Sequence, residues 1–384
     1  MSEDERPCIL IAGGGTGGHV FPGIAVADAL RGLADVEVVF AGSPRGIEKG
    51  VVPARGYRLK LLDVRPMKGG GPTRMMSGAF FAARAMLKAV ALIRTLRPCA
   101  VLSVGGYAAG PMAMAAVLRG IPVAVFEPNG VLGLTNRILA PFAKRGYVAW
   151  PEVAAKLRAG VARELGVPLR SGFEASPYMA RGSSKILVMG GSLGAKALNE
   201  RLPLALARLA KEVPSLSVLH QTGKGADDEV RALYKRLGLE ADVQPFLDDV
   251  AGAVADADLV VARSGAGTVA EIAAVGRAAV YVPFPFAADD HQRKNAEAIE
   301  RAGGAVCLPQ REATPDRLVA VLGPLLRDDA RRTRMADAAR SVGKPHAAHD
   351  VAGDLLRLGG VPLRIAKTKT NGHGGATRSA MGAH

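Results

Sequence analysis

The stretch RSGAGTVAEIAAVGRAAVYVPFPFAADDHQRKNA, Arg263 to Ala296, decides the fold. The run DADLVVA, Asp256 to Ala262, leads into it as a buried strand. Ser264-Gly-Ala-Gly267 then turns tightly and leaves backbone N–H groups for an anion. A helix follows with Thr268 and Glu271 in its first turn, then a second strand, then a polar loop entering another helix. A carboxylate at Glu271 suits two vicinal hydroxyls, as a ribose presents. The loop from Phe284 to Asn295 carries Asp290, His291, Gln292 and Asn295, side chains that suit sugar hydroxyls. Contacts for phosphate, ribose and sugar in one block point to a nucleotide-sugar site. The plainer alternative is an ordinary βαβ unit, with Glu271 solvated and Asp289-Asp290 capping a helix.

The same opening recurs along the chain. Cys8-Ile-Leu-Ile-Ala12 is a short buried strand, followed by Gly13-Gly-Gly-Thr-Gly-Gly-His19 and a helical pattern from Pro22 to Leu30. Ala100 to Val104 runs into Gly105-Gly-Tyr-Ala-Ala-Gly-Pro111, and Lys185 to Met189 into Gly190-Gly-Ser-Leu-Gly-Ala195. The strand Pro122 to Phe126 ends in Glu127-Pro-Asn-Gly130. That is either a simple turn or a carboxylate and an amide where open α/β sheets hold ligands. Two halves with one opening predict two Rossmann-like sheets whose glycine loops face a shared cleft. Gly13, Gly15 and Gly18 also match the dinucleotide pattern G-x-G-x-x-G. An NAD site wants an acidic residue after the second strand, and Phe40-Ala-Gly-Ser43 has none.

A chain of 384 residues is long enough for two domains. Its 49% hydrophobic and 4% aromatic content suits parallel strands buried on both faces. Cys8, Cys99 and Cys307 are far apart and form no CxxC, so a reducing, cytosolic compartment is expected. Residues 1–7 do not read as a secretory signal, and no apolar run reaches the roughly 18 residues of a membrane span. The formal charge of +15 favours an anionic partner: nucleic acid, an acidic membrane or a phosphorylated substrate. Nucleic acid has little support, because no basic recognition helix stands out. Between Arg65 and Arg97, Met75, Met76, Phe80, Phe81 and Met86 interleave with Arg74, Arg84 and Lys88. This is either a packing helix with a basic edge or a surface that rests on anionic lipid. The Gly-rich basic segment after Leu363 reads as disordered.

With those residues in hand, the chain from Cys8 to Leu358 resembles the MurG family of peripheral membrane glycosyltransferases. Gly14-Gly-Thr-Gly-Gly-His-Val-Phe-Pro22, Gly105 to Pro111 and Gly190 to Ala195 resemble its three glycine loops, and Arg263–Ala296 its donor region. There are departures. The family's E-Q-N is Glu127-Pro-Asn129, its G-N-P-V-R is Gly166-Val-Pro-Leu-Arg170, a common Gln is Leu193, and a Gln pair is His291-Gln292.

The resemblance implies an α/β GT-B fold of two Rossmann-like domains. Residues 1–165 would bind the acceptor and face the membrane, 166–345 would bind the UDP-sugar, 346–362 would cross back, and 363–384 would form a basic tail. It implies inverting transfer of N-acetylglucosamine from UDP-N-acetylglucosamine to the 4-hydroxyl of N-acetylmuramic acid on lipid I, giving lipid II. The implied place is the cytoplasmic face of the inner membrane, beside other cell-wall synthesis proteins, and no cofactor or metal is implied. His19 is the candidate general base, since histidine titrates near neutral pH, with Glu127 as alternative or partner. Thr16, Gly17, Gly18 and Asn129 would line the acceptor side. Ser192, the backbone near Gly191 and Arg170 would answer the diphosphate charge. Leu247 would read the uracil through its backbone. Ala266, Gly267, Thr268, Val269, Ala270 and Glu271 would hold phosphate and ribose, and His291, Gln292 and Asn295 the sugar. A GT-B enzyme with another lipid acceptor, or a hydrolysing UDP-sugar epimerase, would share this donor site.

Overall fold

The computed structural model describes residues 6–64, 72–182, 184–191 and 194–364, with residues 72–82 as backbone alone. Residues 65–71, the side chains of Met75 to Phe81, Ser192, Leu193 and residues 365–384 therefore lie outside the described residues. One sheet contains β1 (Cys8–Gly13), β2 (Glu37–Gly42), β3 (Arg58–Leu61), β4 (Ala100–Gly105), β5 (Val123–Glu127), β6 (Arg145–Val148) and β7 (Ala162–Glu164). A second contains β8 (Ser184–Met189), β9 (Leu216–Gln221), β10 (Asp242–Gln244), β11 (Leu259–Ala262), β12 (Ala279–Tyr281) and β13 (Ala305–Cys307). Their orders are β3-β2-β1-β4-β5-β6-β7 and β10-β9-β8-β11-β12-β13, with every pairing parallel. This is the GT-B pair of Rossmann-like sheets that the repeated strand–glycine–helix openings predict.

Every residue of β1 and β4 is buried, because helices cover both faces of the sheet. Ile9, Ile11 and Phe40 face one layer, which holds the Gly17–Leu33 and Ala347–Leu358 helices. Leu10, Ala12 and Val39 face the other, with the Pro72–Leu96, Ala109–Leu118 and Leu134–Leu139 helices. Strand order reverses between β1 and β4, and again between β8 and β11. Connections leave in opposite directions at such points, so a crevice opens at the carboxyl ends of the strands. Both crevices open toward the same cleft.

The last helix ties the halves together. Ala347–Leu358 follows the second sheet in sequence, yet Val351, Ala352, Leu355 and Leu356 are buried against the first. Arg145 Nε and Tyr147 Oη both donate to Asp354 Oδ2 at 3.0 Å, fixing the register of that docking. Two local expectations are corrected. Asp256 closes the Val250–Asp256 helix instead of opening a strand, and Glu271 lies in the second turn of Ala266–Val275. The helix starts earlier than the glycines suggest, at Ala266, with Gly265 as its extended N-cap and Gly267 inside its first turn.

Truncating a fully buried leucine costs about 2–5 kcal/mol. Leu355→Ala is therefore expected to loosen the last helix selectively. Hydrogen exchange should rise across 347–358 while the strands of the second sheet keep their protection.

Candidate active site

The floor of the first crevice is built by backbone contacts that leave no room for side chains. Gly14 N–H donates to Gly105 O at 3.2 Å, and a Cβ on Gly106 would lie 2.4 Å from Gly14 O. Gly105 and Gly106 both have positive φ, 92° and 88°, so glycine is required there for conformation as well. The first two glycine loops thus interlock. His19, in the first turn of the Gly17–Leu33 helix, rests on them: a Cβ on Gly105 would come within 3.0 Å of its Nε2. Its Nδ1 lies 3.3 Å from Thr16 Oγ1. Burial pushes the imidazole below the ordinary histidine value; Glu127 and the Gly14 backbone oppose this, His291 across the cleft adds to it, and Glu48 opposes it weakly. No hydrogen bond joins His19 to Glu127.

Glu127 ends β5 as a buried carboxylate filled by four donors. Gly133 N–H reaches Oε2 at 2.8 Å and Asn136 Nδ2 at 3.1 Å, while the backbone and side-chain nitrogens of Asn129 both reach Oε1 at 3.2 Å. Asn136 is itself buried, with Nδ2 also donating to Phe126 O at 2.7 Å. The Glu127-Pro-Asn-Gly130 loop is therefore folded around its own carboxylate.

In the second crevice, Gly191 is clamped by Gln221, which accepts from its N–H at 3.1 Å and donates to its carbonyl at 3.0 Å. Gly194 sits so close to Thr222 that a Cβ would lie 2.4 Å from the Thr222 carbonyl. The N-terminus of Lys196–Leu209 follows directly. Beside it the Ala266–Val275 helix begins at the end of β11, so two helix N-termini adjoin, each carrying partial positive charge. Glu271 lies under this crevice. Burial pushes its carboxyl up to about 7, with the Arg170 guanidinium 3.9 Å away opposing the shift. Arg170, expected at the diphosphate, thus stands beside the ribose candidate. Val269 is wholly buried in the core and Ala270 lines the seam between the sheets, which leaves Ala266, Gly267 and Thr268 at the open end of the helix. Leu247 packs against the core beside the half-exposed Phe246.

The donor loop is hydrogen-bonded to the first half through Asn295. Asn295 is fully buried; its Oδ1 accepts Gly130 N–H at 2.9 Å, and its Nδ2 donates to Ser264 O at 3.2 Å and Asn129 Oδ1 at 3.4 Å. A polar loop residue expected to face a sugar is thereby a bridge between the halves. His291 donates from Nδ1 to Ala288 O at 2.7 Å, which leaves Nε2 as an acceptor. Gln292 Oε1 accepts Phe284 N–H at 2.9 Å, leaving its amide NH2 to donate. Asp289 and Asp290 both adopt left-handed φ, 52° and 53°, so this loop is held by its contacts and not by preference.

Three contributors carry no local signal in the sequence: Glu48, Asn136 and Gln221. Each is buried and bonds backbone. Glu48 follows Gly46-Ile47 five residues past Ser43, between Arg45 and Lys49, and nothing in that charged run marks it as a buried group.

The glycosyltransferase family 28 N-terminal domain matches residues 9–148, and the family 28 C-terminal domain matches residues 185–351. A protein of Sorangium cellulosum (strain So ce56) is 50% identical over 93% of this chain and 90% of its own length. One of Anaeromyxobacter sp. (strain Fw109-5) is 42% identical over 90% of this chain and 91% of its own. Both are named UDP-N-acetylglucosamine–N-acetylmuramyl-(pentapeptide) pyrophosphoryl-undecaprenol N-acetylglucosamine transferase. The crystal structure of Acinetobacter baumannii MurG superposes with a TM-score of 0.78 at 36% identity, covering 91% of this chain and 99% of that one. A UDP-N-acetylglucosamine 2-epimerase from Neisseria meningitidis shares the fold alone, with a TM-score of 0.64 at 13% identity over 91% of this chain and 100% of that one. By sequence over nine-tenths of its length, and by the arrangement of both sheets, the chain belongs to the MurG family of family 28 glycosyltransferases.

Proposed function

We propose that the chain transfers N-acetylglucosamine from UDP-N-acetylglucosamine to the 4-hydroxyl of N-acetylmuramic acid on lipid I, with inversion, giving lipid II. The reaction follows from family membership. The roles below are our reading of the cleft, and the observation that carries it is His19 lying on the interlocked glycine loops, where it senses the charge of Glu127 and of His291 from the other half.

UDP binds the second half. Glu271 accepts the ribose hydroxyls. The N-termini of Lys196–Leu209 and Ala266–Val275 answer the diphosphate, and their charge matters most as the sugar–phosphate bond breaks. Ser192, four residues before the first of these helices in sequence, is assigned to the diphosphate as well. Phe246 and the Leu247 backbone meet the uracil. The sugar lies toward His291 and Gln292, and the acceptor toward Thr16, Gly17, Gly18 and Asn129. Proton removal falls to His19, because Glu127 has both oxygens filled by structural donors. Glu127 shapes the acceptor loop and favours the imidazolium that forms.

The first half also meets the membrane. Between Asp63 and Glu152 the only acidic residue is the buried Glu127. The helical layer away from Ala347–Leu358 exposes Leu87, Leu118, Leu134, Ile138 and Phe142, with Arg84, Lys88, Arg119, Arg137 and Lys144 also exposed on it. Apolar side chains among unopposed cations suit an anionic bilayer surface. Among the described residues, no helix is long and apolar enough to cross a membrane. We therefore place the protein peripherally on the cytoplasmic leaflet.

The deciding assay is UDP release from UDP-N-acetylglucosamine with and without a lipid I analogue. Acceptor-dependent release with a disaccharide product is expected; release without acceptor would instead indicate an epimerase or hydrolase. His19→Ala should lower kcat by about 10²–10⁴-fold. A base works unprotonated, so the wild-type rate should rise with pH along a limb centred below the ordinary histidine value of about 6.5. Full turnover with an unchanged profile in His19→Ala would remove the base assignment.

Glu271 binds hydroxyls best as a carboxylate. With its carboxyl near about 7, donor KM should fall as pH rises through that value. Glu271→Gln should abolish the trend and raise KM about 10–100-fold, the worth of hydrogen bonds to a charged group.

Purified protein should sediment with anionic but not neutral vesicles at low salt. The double variant Leu134→Ser, Phe142→Ser should weaken this while sparing turnover of a water-soluble acceptor. Indifference of the wild type to anionic vesicles would end the membrane reading.

A further inference from the structure

We propose that Glu48 is a positioning residue for the transfer: its carboxylate is a resident anion that holds the first glycine loop in place of a substrate phosphate. Glu48 is 1% exposed. Its Oε2 accepts Gly15 N–H at 2.8 Å and its Oε1 accepts Ser43 N–H at 2.7 Å. The chain closes around it without side chains. A Cβ on Gly14, Gly42 or Gly46 would come within 2.2, 2.5 or 2.0 Å of Glu48 atoms. Gly15 has a φ of 95°, so the N–H it offers depends on a glycine conformation.

Backbone N–H groups in a glycine turn after the first strand are the groups that take pyrophosphate in a dinucleotide site. Here the protein satisfies one of them itself. The missing acidic residue at the end of β2 is explained in the same way. The carboxylate arrives a few residues later, on the Glu48–Ala54 helix, and is directed at the loop and not at a ribose. The loop therefore keeps its shape before any substrate arrives.

Thr16 follows Gly15 directly. Its carbonyl accepts the N–H of His19 and of Val20, at 3.2 and 3.1 Å, and its hydroxyl lies against the imidazole. The place of Gly15 thus decides where His19 rests on Gly105. Glu48 also faces the imidazole electrostatically, together with Glu127 and against His291. Only this second, electrostatic part rests on reading His19 as the base.

The test uses the full-length enzyme with a lipid I analogue, comparing wild type, Glu48→Gln and Gly46→Ala. In Glu48→Gln, kcat should fall about 10–100-fold, the cost of a catalytic group misplaced by about 1 Å. UDP affinity by calorimetry should not change, because UDP binds the other half. Losing one negative charge that faces His19 should move the acid limb of kcat to lower pH. Gly46→Ala crowds the carboxylate without changing charge, so it should lose rate with the limb in place. A Gln variant with wild-type kcat, whatever its melting temperature, overturns the proposal. So does a rate loss matched by an equal loss of UDP affinity in both variants, which is the mark of general unfolding. If His19→Ala keeps its acid limb, the base assignment fails while the kcat comparison for Glu48 still stands.

Discussion

One buried amide sets the geometry of the cleft. Asn295 accepts from the Gly130 backbone of the first half and donates to Ser264 O of the second, with no water-exposed surface of its own. A buried amide left unpaired costs about 1–3 kcal/mol, so the two loops stay within bonding reach of one residue. His19 then faces His291, and the acceptor loop abuts the donor loop. The Ala347–Leu358 helix reinforces this from behind, since it carries the chain of the second half onto the core of the first.

The two halves use the same sheet topology for different work. At β8/β11 the switch point leaves helix N-termini open, which suits a diphosphate. At β1/β4 the corresponding turn is filled by Glu48 and by the interlocked Gly105-Gly106, and what projects into the cleft is a side chain, His19. The division is chemical. On our proposal one crevice stabilises a leaving anion, and the other presents a base to a neutral hydroxyl. The carboxylates follow the same split. Glu271 is partly buried with the Arg170 guanidinium 3.9 Å away, which suits the hydroxyl-binding role proposed for it, whereas Glu127 and Glu48 are held by the protein's own N–H groups.

Much of this was legible in the chain. The buried strands Cys8–Ala12, Ala100–Val104 and Lys185–Met189, each followed by glycines and a helical period, required two parallel sheets. The positions of His19 at a helix start and Glu127 at a strand end followed from that pattern. Individual roles were less legible. Asn295 sits among polar residues that read as a sugar loop, and nothing local marks it as a bridge. Arg170 reads as a phosphate ligand, and its approach to Glu271 at 3.9 Å comes only with the fold. Val269 belongs to the apolar side of its helix, which the short run Thr268-Val-Ala-Glu271 does not reveal.

By itself, then, the sequence determined the fold class, the pair of glycine-lined crevices and the family, because hydrophobic period and glycine placement act over a few residues and survive translation into any tertiary setting. Only the tertiary structure decided which polar groups are available for chemistry. A carboxylate's role depends on the donors within about 3 Å of it. For Glu48 those donors come from residues 33 and five positions away, and for Asn295 from 165 positions away. Separations of that kind are set by the closing of sheets and domains, which leaves no trace in local spacing.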